Sequence, residues 1–277
     1  MSETPAADDS GSQRAVQSVE VGGRLLLALG AHPGPMALKD LAAQAGLPPS
    51  RAHPYLVSFA RLGLVEQSRD TGRYALGPAA LQLGLTCLHQ LDPMRAAEPV
   101  AQALAASTGY AVALALWGNL GPTIVRMIDA RQPLLVAMRT GTVMSVLHTA
   151  TGRAFASALS LERIAHALSG ALGDAPLPAR ALSDQERAIV DQARADVAAH
   201  GVVRAEGRPI PSVNAFSAPA FDHEGQPAIV ITALGHQDHF PVGWDSPAAQ
   251  AVREAARAVS ARLGWRGGVV QVYPPRQ

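Results

Sequence analysis

The stretch from Met36 to Leu76 constrains the fold more than any other. Within it, MALKDLAAQAG puts Leu38, Leu41 and Ala45 on one helical face, and Gly46 is a stop signal. The turn GLPP follows. A second amphipathic stretch, SRAHPYLVSFARLG, gives Leu56, Phe59 and Ala60 as an apolar stripe, with Leu62 adjoining, and ends at Gly63. Two strand-like runs, LVEQ and YALG, then bracket RDTGR, whose Asp70-Thr71-Gly72 reads as a hairpin loop. Upstream, RAVQSVEVGGRLLLAL spaces Val16, Val19, Leu26 and Leu29 as a helix, although Gly22-Gly23 weakens its middle and GAHPG breaks the chain after it. Helix, helix, turn, helix and hairpin, in that order, make a winged helix-turn-helix.

Such a unit has a direct use. An α-helix fits the major groove of B-DNA, and its amino-terminal residues reach the base edges. With Ser50 as N-cap, the first turn of the third helix carries Ser50, Arg51 and His53. Arg bonds guanine bidentately, Ser or His reaches a phosphate or a base, and the helix amides themselves favour a phosphate. Arg69 and Arg73 flank the hairpin tip, where a wing touches backbone or minor groove. Residues 13–78 hold seven basic side chains against four acidic ones, a surplus in the direction a polyanionic partner favours.

Pro54 complicates this helix. Proline lacks the N–H and clashes with the preceding turn, at a cost of about 3 kcal/mol in a helix interior. With Ser50 as N-cap, Pro54 is the fourth helical residue and only the first backbone bond is lost; a start at Pro48 or Pro49 makes it interior. The shorter helix is the expectation.

Beyond the hairpin, GPAALQLGLTCLHQLDPM presents Leu81, Leu85 and Leu88, with Leu83 nearby, as an amphipathic helix suited to dimerisation. Residues 93–108 form another helix. YAVALALW and PTIVRMIDA are strands joined by Gly118-Asn119-Leu120-Gly121, and LLVAM is a further strand. TATGRAFASAL is helical, with Thr149 or Thr151 able to cap it. SDQERAIVDQARADVAAHG opens on Ser183 and Glu186 at capping-box spacing and closes on Gly201. SAPAFD and PAIVITALG are strands around His223-Glu224-Gly225, and SPAAQAVREAARAVSARLG is the last helix. The fold class is therefore α+β, with a binding cavity expected beneath the loops of the second sheet.

From about Arg14 to Gly264 the chain resembles the IclR family of bacterial transcriptional regulators. The resemblance rests on RAVQSVEVGGRLLLAL, LKDLAAQAGLPPSRAHPYL, FARLGLVE, GRYALGPAALQLG, HTATGRAFAS and NAFSAPAFDHEGQPAIVITALG, taken as an ordered series. It implies a winged helix-turn-helix over 14–77, a linker helix over 78–92 and a GAF-like α/β effector-binding domain over 93–265, between tails at 1–13 and 266–277. It also implies homodimers, often paired into tetramers, that bind double-stranded operator DNA and repress or activate catabolic operons in response to a small metabolite. The effector site it implies comprises Met138, Thr149, Ala150, Thr151, Gly152, Val213, Asn214, Ala215, Thr232 and Leu234. A carboxylate would sit at the amino end of the helix containing Gly152. The chain departs from the family in three ways. HTATGR is one residue shorter between His148 and Arg153 than the common pattern. Ala215 and Leu234 stand where some sensors of small acids have polar residues, which favours a larger or partly aromatic ligand over a compact keto acid. Pro54 replaces a basic residue, most often Arg. That substitution keeps a second reading in view, a metabolite-binding adaptor with weakened or lost DNA readout.

Other functions find little support. HExxH, GxSxG, a Walker-type loop and a CxxC pair are missing, so neither an enzyme nor a cofactor is expected. His236, Asp238 and His239 in GHQDH read as a solvated turn rather than a metal site. Arg153 reads as facing solvent or a ligand carboxylate. Cys87 is the only cysteine, which suits a reducing cytoplasm. The polar start lacks a secretory pattern, and no run approaches the roughly 18 apolar residues of a membrane span.

Overall fold

The computed structural model describes residues 15–129, 131, 138–170 and 181–267. The expected tails fall outside these apart from Arg266 and Gly267, as does the LLVAM strand apart from Met138. The chain divides between Gln90 and Leu91 into two compact units.

The first unit contains α1 (Gln17–Ala31), α2 (Leu38–Gln44), α3 (Pro49–Arg61), the hairpin β1 (Val65–Gln67) and β2 (Tyr74–Leu76), and α4 (Pro78–His89). Its core joins Val21, Leu25, Ala28 and Leu29 of α1 to Leu41 and Ala42 of α2, Ala52 and Leu56 of α3, and Met36, Val65 and Tyr74. The face α1 buries differs from the one its valines suggested: Val16 and Val19 are exposed. Gly22 explains the rotation. A Cβ there would lie 2.8 Å from the Phe59 ring, so α1 meets α3 along the glycine-bearing side. On α3 the packed residues are Ala52 and Leu56, flanked by half-buried Tyr55 and Phe59; Ala60 and Leu62 face outward, contrary to expectation. Met36 pairs with Tyr74 as an extra antiparallel bridge beside the hairpin.

In the second unit α5 (Pro93–Thr108) precedes the hairpin β3 (Ala111–Gly118) and β4 (Gly121–Ile128). Next come α6 (Ala150–Ala156), α7 (Leu161–Leu168), α8 (Asp184–His200), β5 (Val203–Glu206), β6 (Val213–Phe221), β7 (Pro227–His236) and α9 (Pro247–Arg262). Local signals set many of the boundaries. The Asp92 side chain accepts from Met94 N and Arg95 N to start α5. Ser183 and Glu186 complete both halves of a capping box on α8, which ends at left-handed Gly201. Asp222 accepts from the amides of Glu224 and Gln226 in the β6–β7 turn.

The five described strands form one antiparallel sheet in the order β4-β3-β7-β6-β5. Strand alternation sorts its side chains between two cores. Val112, Leu114, Phe216, Ala218, Ile229, Ile231 and Ala233 pack against α5 and α9. Ala113, Ala115, Val213, Ala215, Val230 and Leu234 face α6, α7 and α8. Two polar residues of that second face, Ser217 and Thr232, are buried with it.

Candidate functional site

The first candidate is the outer face of α3. Its N-cap is Pro48, not Ser50, and Arg51 N and Ala52 N donate to the Pro48 carbonyl at 3.0 and 3.1 Å. Pro49 at the first helical position is preorganised in φ and gives up no bond, which is why the helix starts before Ser50. Pro54 is therefore the sixth helical residue and interior, the alternative the shorter helix was meant to avoid. The carbonyl of Ser50 loses its helical donor, at a residue that is exposed.

Helical spacing puts Ser50, Pro54, Val57 and Arg61 along one exposed line, opposite buried Ala52 and Leu56. Arg51 and His53 are exposed on its two flanks. His53 is not wholly free: its Nδ1 lies 3.5 Å from the hydroxyl of Tyr74 in β2. On the wing Arg69 is exposed at the tip, whereas Arg73 donates from Nη1 to the Pro35 carbonyl at 3.3 Å and anchors the base of the hairpin. Arg61 belongs to no motif of its own in the sequence. Its spacing of eleven from Ser50 was the available signal.

The second candidate is a cavity of about 40 Å³ between the sheet and α6, within the second unit. Met138, Thr149, Ala150, Thr151, Val213, Ala215, Thr232 and Leu234 line it, together with Ile124, Met144, Arg208 and Ile210. Two residues expected there do not line it. Asn214 points to the other face of β6, donating to the Phe240 carbonyl and accepting from Gly207 N, both at 3.0 Å. Strand alternation separates it from Val213 and Ala215. Gly152 serves a close backbone contact, since a Cβ on it would stand 2.1 Å from the Ser145 carbonyl oxygen.

Thr149 caps α6 by accepting from Gly152 N at 2.9 Å and donates its own proton to Ser145 O at 2.7 Å. The amino end of α6 thus already has one of its amides engaged. Deeper in, Ser217 Oγ, Thr232 Oγ1 and Thr151 Oγ1 form a row with spacings of 2.7 and 2.9 Å. Three hydroxyls joined by two bonds leave one O–H over. Arg208 is the single charged side chain among the lining residues, and it is exposed on the loop between β5 and β6. Arg208 is not legible from the sequence as a site residue, because β5 is a four-residue edge strand with no strong pattern to place the loop after it.

Arg153 is half-buried and lies outside this cavity, lining an open cleft with Asp196 and Arg204. It donates to the Arg204 carbonyl at 2.5 Å. Burial lowers its pKa, and the charge of Asp196 opposes that shift. His236 Nδ1 sits 3.3 Å from Asp238 in an exposed turn. Among the described residues, no group of three or more His, Cys, Asp or Glu could hold a metal ion. Among them, too, no helix is long and apolar enough to cross a membrane.

Residues 18–69 match the family model of the IclR helix-turn-helix domain, and residues 85–261, more than half the chain, match that of the bacterial transcriptional regulator IclR C-terminal region. The chain belongs to the IclR family. This IclR-family chain is 29% identical to the acetate operon repressor of Salmonella typhimurium over 162 residues, or 58% of the chain and 59% of that repressor. The match therefore spans little more than half of that relative's length. Similarity to the glycerol operon regulatory protein of Streptomyces coelicolor is more extensive: 28% identity over 267 residues, covering 91% of the chain and 98% of that protein. Among solved structures, HmgR of Pseudomonas aeruginosa is 32% identical and superposes with a TM-score of 0.81, covering 91% of the chain and 100% of HmgR.

Proposed function

We propose that this IclR-family chain is a DNA-binding transcriptional regulator whose second unit senses a small organic acid. It controls a catabolic operon, as the names of its relatives, an acetate operon repressor and a glycerol operon regulatory protein, suggest. The observation that carries the reading is the exposed line Ser50–Arg61 of α3, flanked by exposed Arg51, with the wing's Arg69 also exposed in the same unit. Arg51 and Arg61 supply base and phosphate contacts, and Arg69 supplies a wing contact.

A single copy has one such helix, whereas operators of this kind are read by two. The exposed leucines of α4 supply the dimer face, and a homodimer, alone or paired into a tetramer, is the working assembly. As a regulator it acts in the cytoplasm and performs no chemistry.

The ligand is a planar organic acid. Apolar side chains and three threonines form the cavity wall, and Arg208 offers a guanidinium fork for a carboxylate. At about 40 Å³ the cavity is far below the roughly 300–1,000 Å³ of small-molecule pockets. Ligand entry therefore displaces Met138, Met144 or the loop bearing Arg208, and methionine side chains deform at little cost.

The second reading, an adaptor without DNA readout, is kept by Pro54 at the centre of the outward line. An anisotropy titration of the full chain with DNA from upstream of its own gene, at several salt concentrations, separates the two. A regulator gives sequence-dependent affinity that falls linearly in log–log form with salt. R51A weakens it about tenfold and P54R tightens it. A response blind to both salt and sequence establishes the adaptor instead.

A further inference from the structure

The short edge strand β5 leaves a second opening. It pairs with Asn214–Ser217 of β6 only, so among the described residues no strand lies beside the outer edge of β6 from Ala218 to Phe221. A cleft of about 510 Å³ fills that space, with α8 on one side and α9 on the other. It shares no lining residue with the cavity beneath α6. Ala215 lines that cavity and Pro219 lines the cleft, four strand residues or roughly 13 Å apart.

The cleft's chemistry is one-sided. Arg194 of α8 and Arg253 and Arg257 of α9 line it, and no Asp or Glu does. Arg194 donates to the Leu159 carbonyl at 3.2 Å and to Asp191 at 3.5 Å. Its Nε is the one buried side-chain nitrogen or oxygen among the described residues that has no hydrogen-bond partner. Arg253 and Arg257 have no ion pair among the described residues. Three cationic side chains, of which only Arg194 is paired with a carboxylate among the described residues, give the lining a positive charge, and a buried N–H without an acceptor is a standing cost. Phe221 and Trp265 also line the cleft and form an aromatic pair with ring centroids 5.1 Å apart and an interplanar angle of 36°.

We propose that this cleft binds an aromatic carboxylate, with its ring against Phe221 and Trp265 and its carboxylate held by Arg253 and Arg257. Guanidinium forks match a carboxylate bidentately, and the aromatic pair selects a planar group over a bare inorganic anion. The volume lies within the usual range of small-molecule pockets. The inference stands apart from the regulator reading, because none of these residues belongs to α3, the wing or the cavity beneath α6.

The test is calorimetric titration of the full chain with 1-naphthoate, checked by tryptophan fluorescence. Saturable binding is expected, with one component weakened about tenfold or more in R253Q/R257Q; R208Q, which removes the carboxylate partner of the cavity beneath α6, leaves that component in place. W265F should lose part of the fluorescence change while binding persists. The single variant R257Q, whose side chain is exposed, keeps the test valid if the double variant unfolds. The proposal is overturned by an isotherm that the α9 variants leave unchanged, by one abolished by R208Q alone, or by no saturation at millimolar ligand. Measuring DNA affinity of R253Q/R257Q in parallel distinguishes failure of this site from failure of the regulator reading.

Discussion

Two neighbouring glycines with opposite roles show what single residues decide here. Gly22 meets the Phe59 ring at 2.8 Å and Tyr55 at 3.2 Å from its ideal Cβ position, whereas Gly23 has nothing within 4 Å. Glycine in a helix interior costs roughly 1 kcal/mol relative to alanine. That cost is recovered at Gly22 by close packing of α1 on α3, and at Gly23 it is not. G23A should therefore stabilise the first unit by roughly 0.5–1 kcal/mol. G22A should destabilise it by about 1–2 kcal/mol, because the aromatic rings must move. Denaturant midpoints of the first unit's transition check both, and equal shifts in the same direction would refute the assignment. Sequence alone showed only that the pair weakened a helix. The difference depends on which side α1 turns toward α3, a tertiary fact. Pro54 carries the same lesson: its place as sixth helical residue follows from Pro49 being a good first residue, a local cue that outweighed Ser50 as a cap.

Elements with strong end signals were legible in the sequence. The capping box of α8, the two-residue β3–β4 turn and the Asp222 turn fix their elements locally and lie where the residues indicate. Missed elements lacked such signals or were short: α7 has eight residues, and β5 has four on a sheet edge. Much of the cavity lining was legible through family resemblance, but its deepest feature was not. The hydroxyl row joins α6, β6 and β7 across 81 residues of sequence, through pairing that no local pattern encodes. Thr232 is its middle member, so T232V leaves Thr151 and Ser217 each without a bond. That change should cost about 1–3 kcal/mol of stability in the second unit. T232S should recover much of it, because the hydroxyl returns. Thermal unfolding of the two variants is the measurement, and an undiminished midpoint for T232V would show that the row contributes nothing.

At the scale of the whole molecule, α4 is the least self-sufficient part. None of its twelve residues is buried, and Leu81, Leu85 and Leu88 are 64%, 47% and 37% exposed. Their spacing of four and three places them on one face. A helix this short is marginal in water without tertiary packing, and a leucine stripe exposed along it marks an interaction surface. A second copy of α4 is the natural cover, because a self-complementary apolar face serves both subunits of a twofold dimer. Joining two reading helices also turns the second half-site contact into an intramolecular event, which raises affinity without any new contact. L81E/L85E should therefore shift the protein from dimer to monomer in sedimentation velocity. It should also weaken binding to a two-half-site operator by about a hundredfold, while binding to a single half-site changes little. If the mass stays dimeric and both affinities hold, the leucines of α4 pack elsewhere and the dimer is built by another surface.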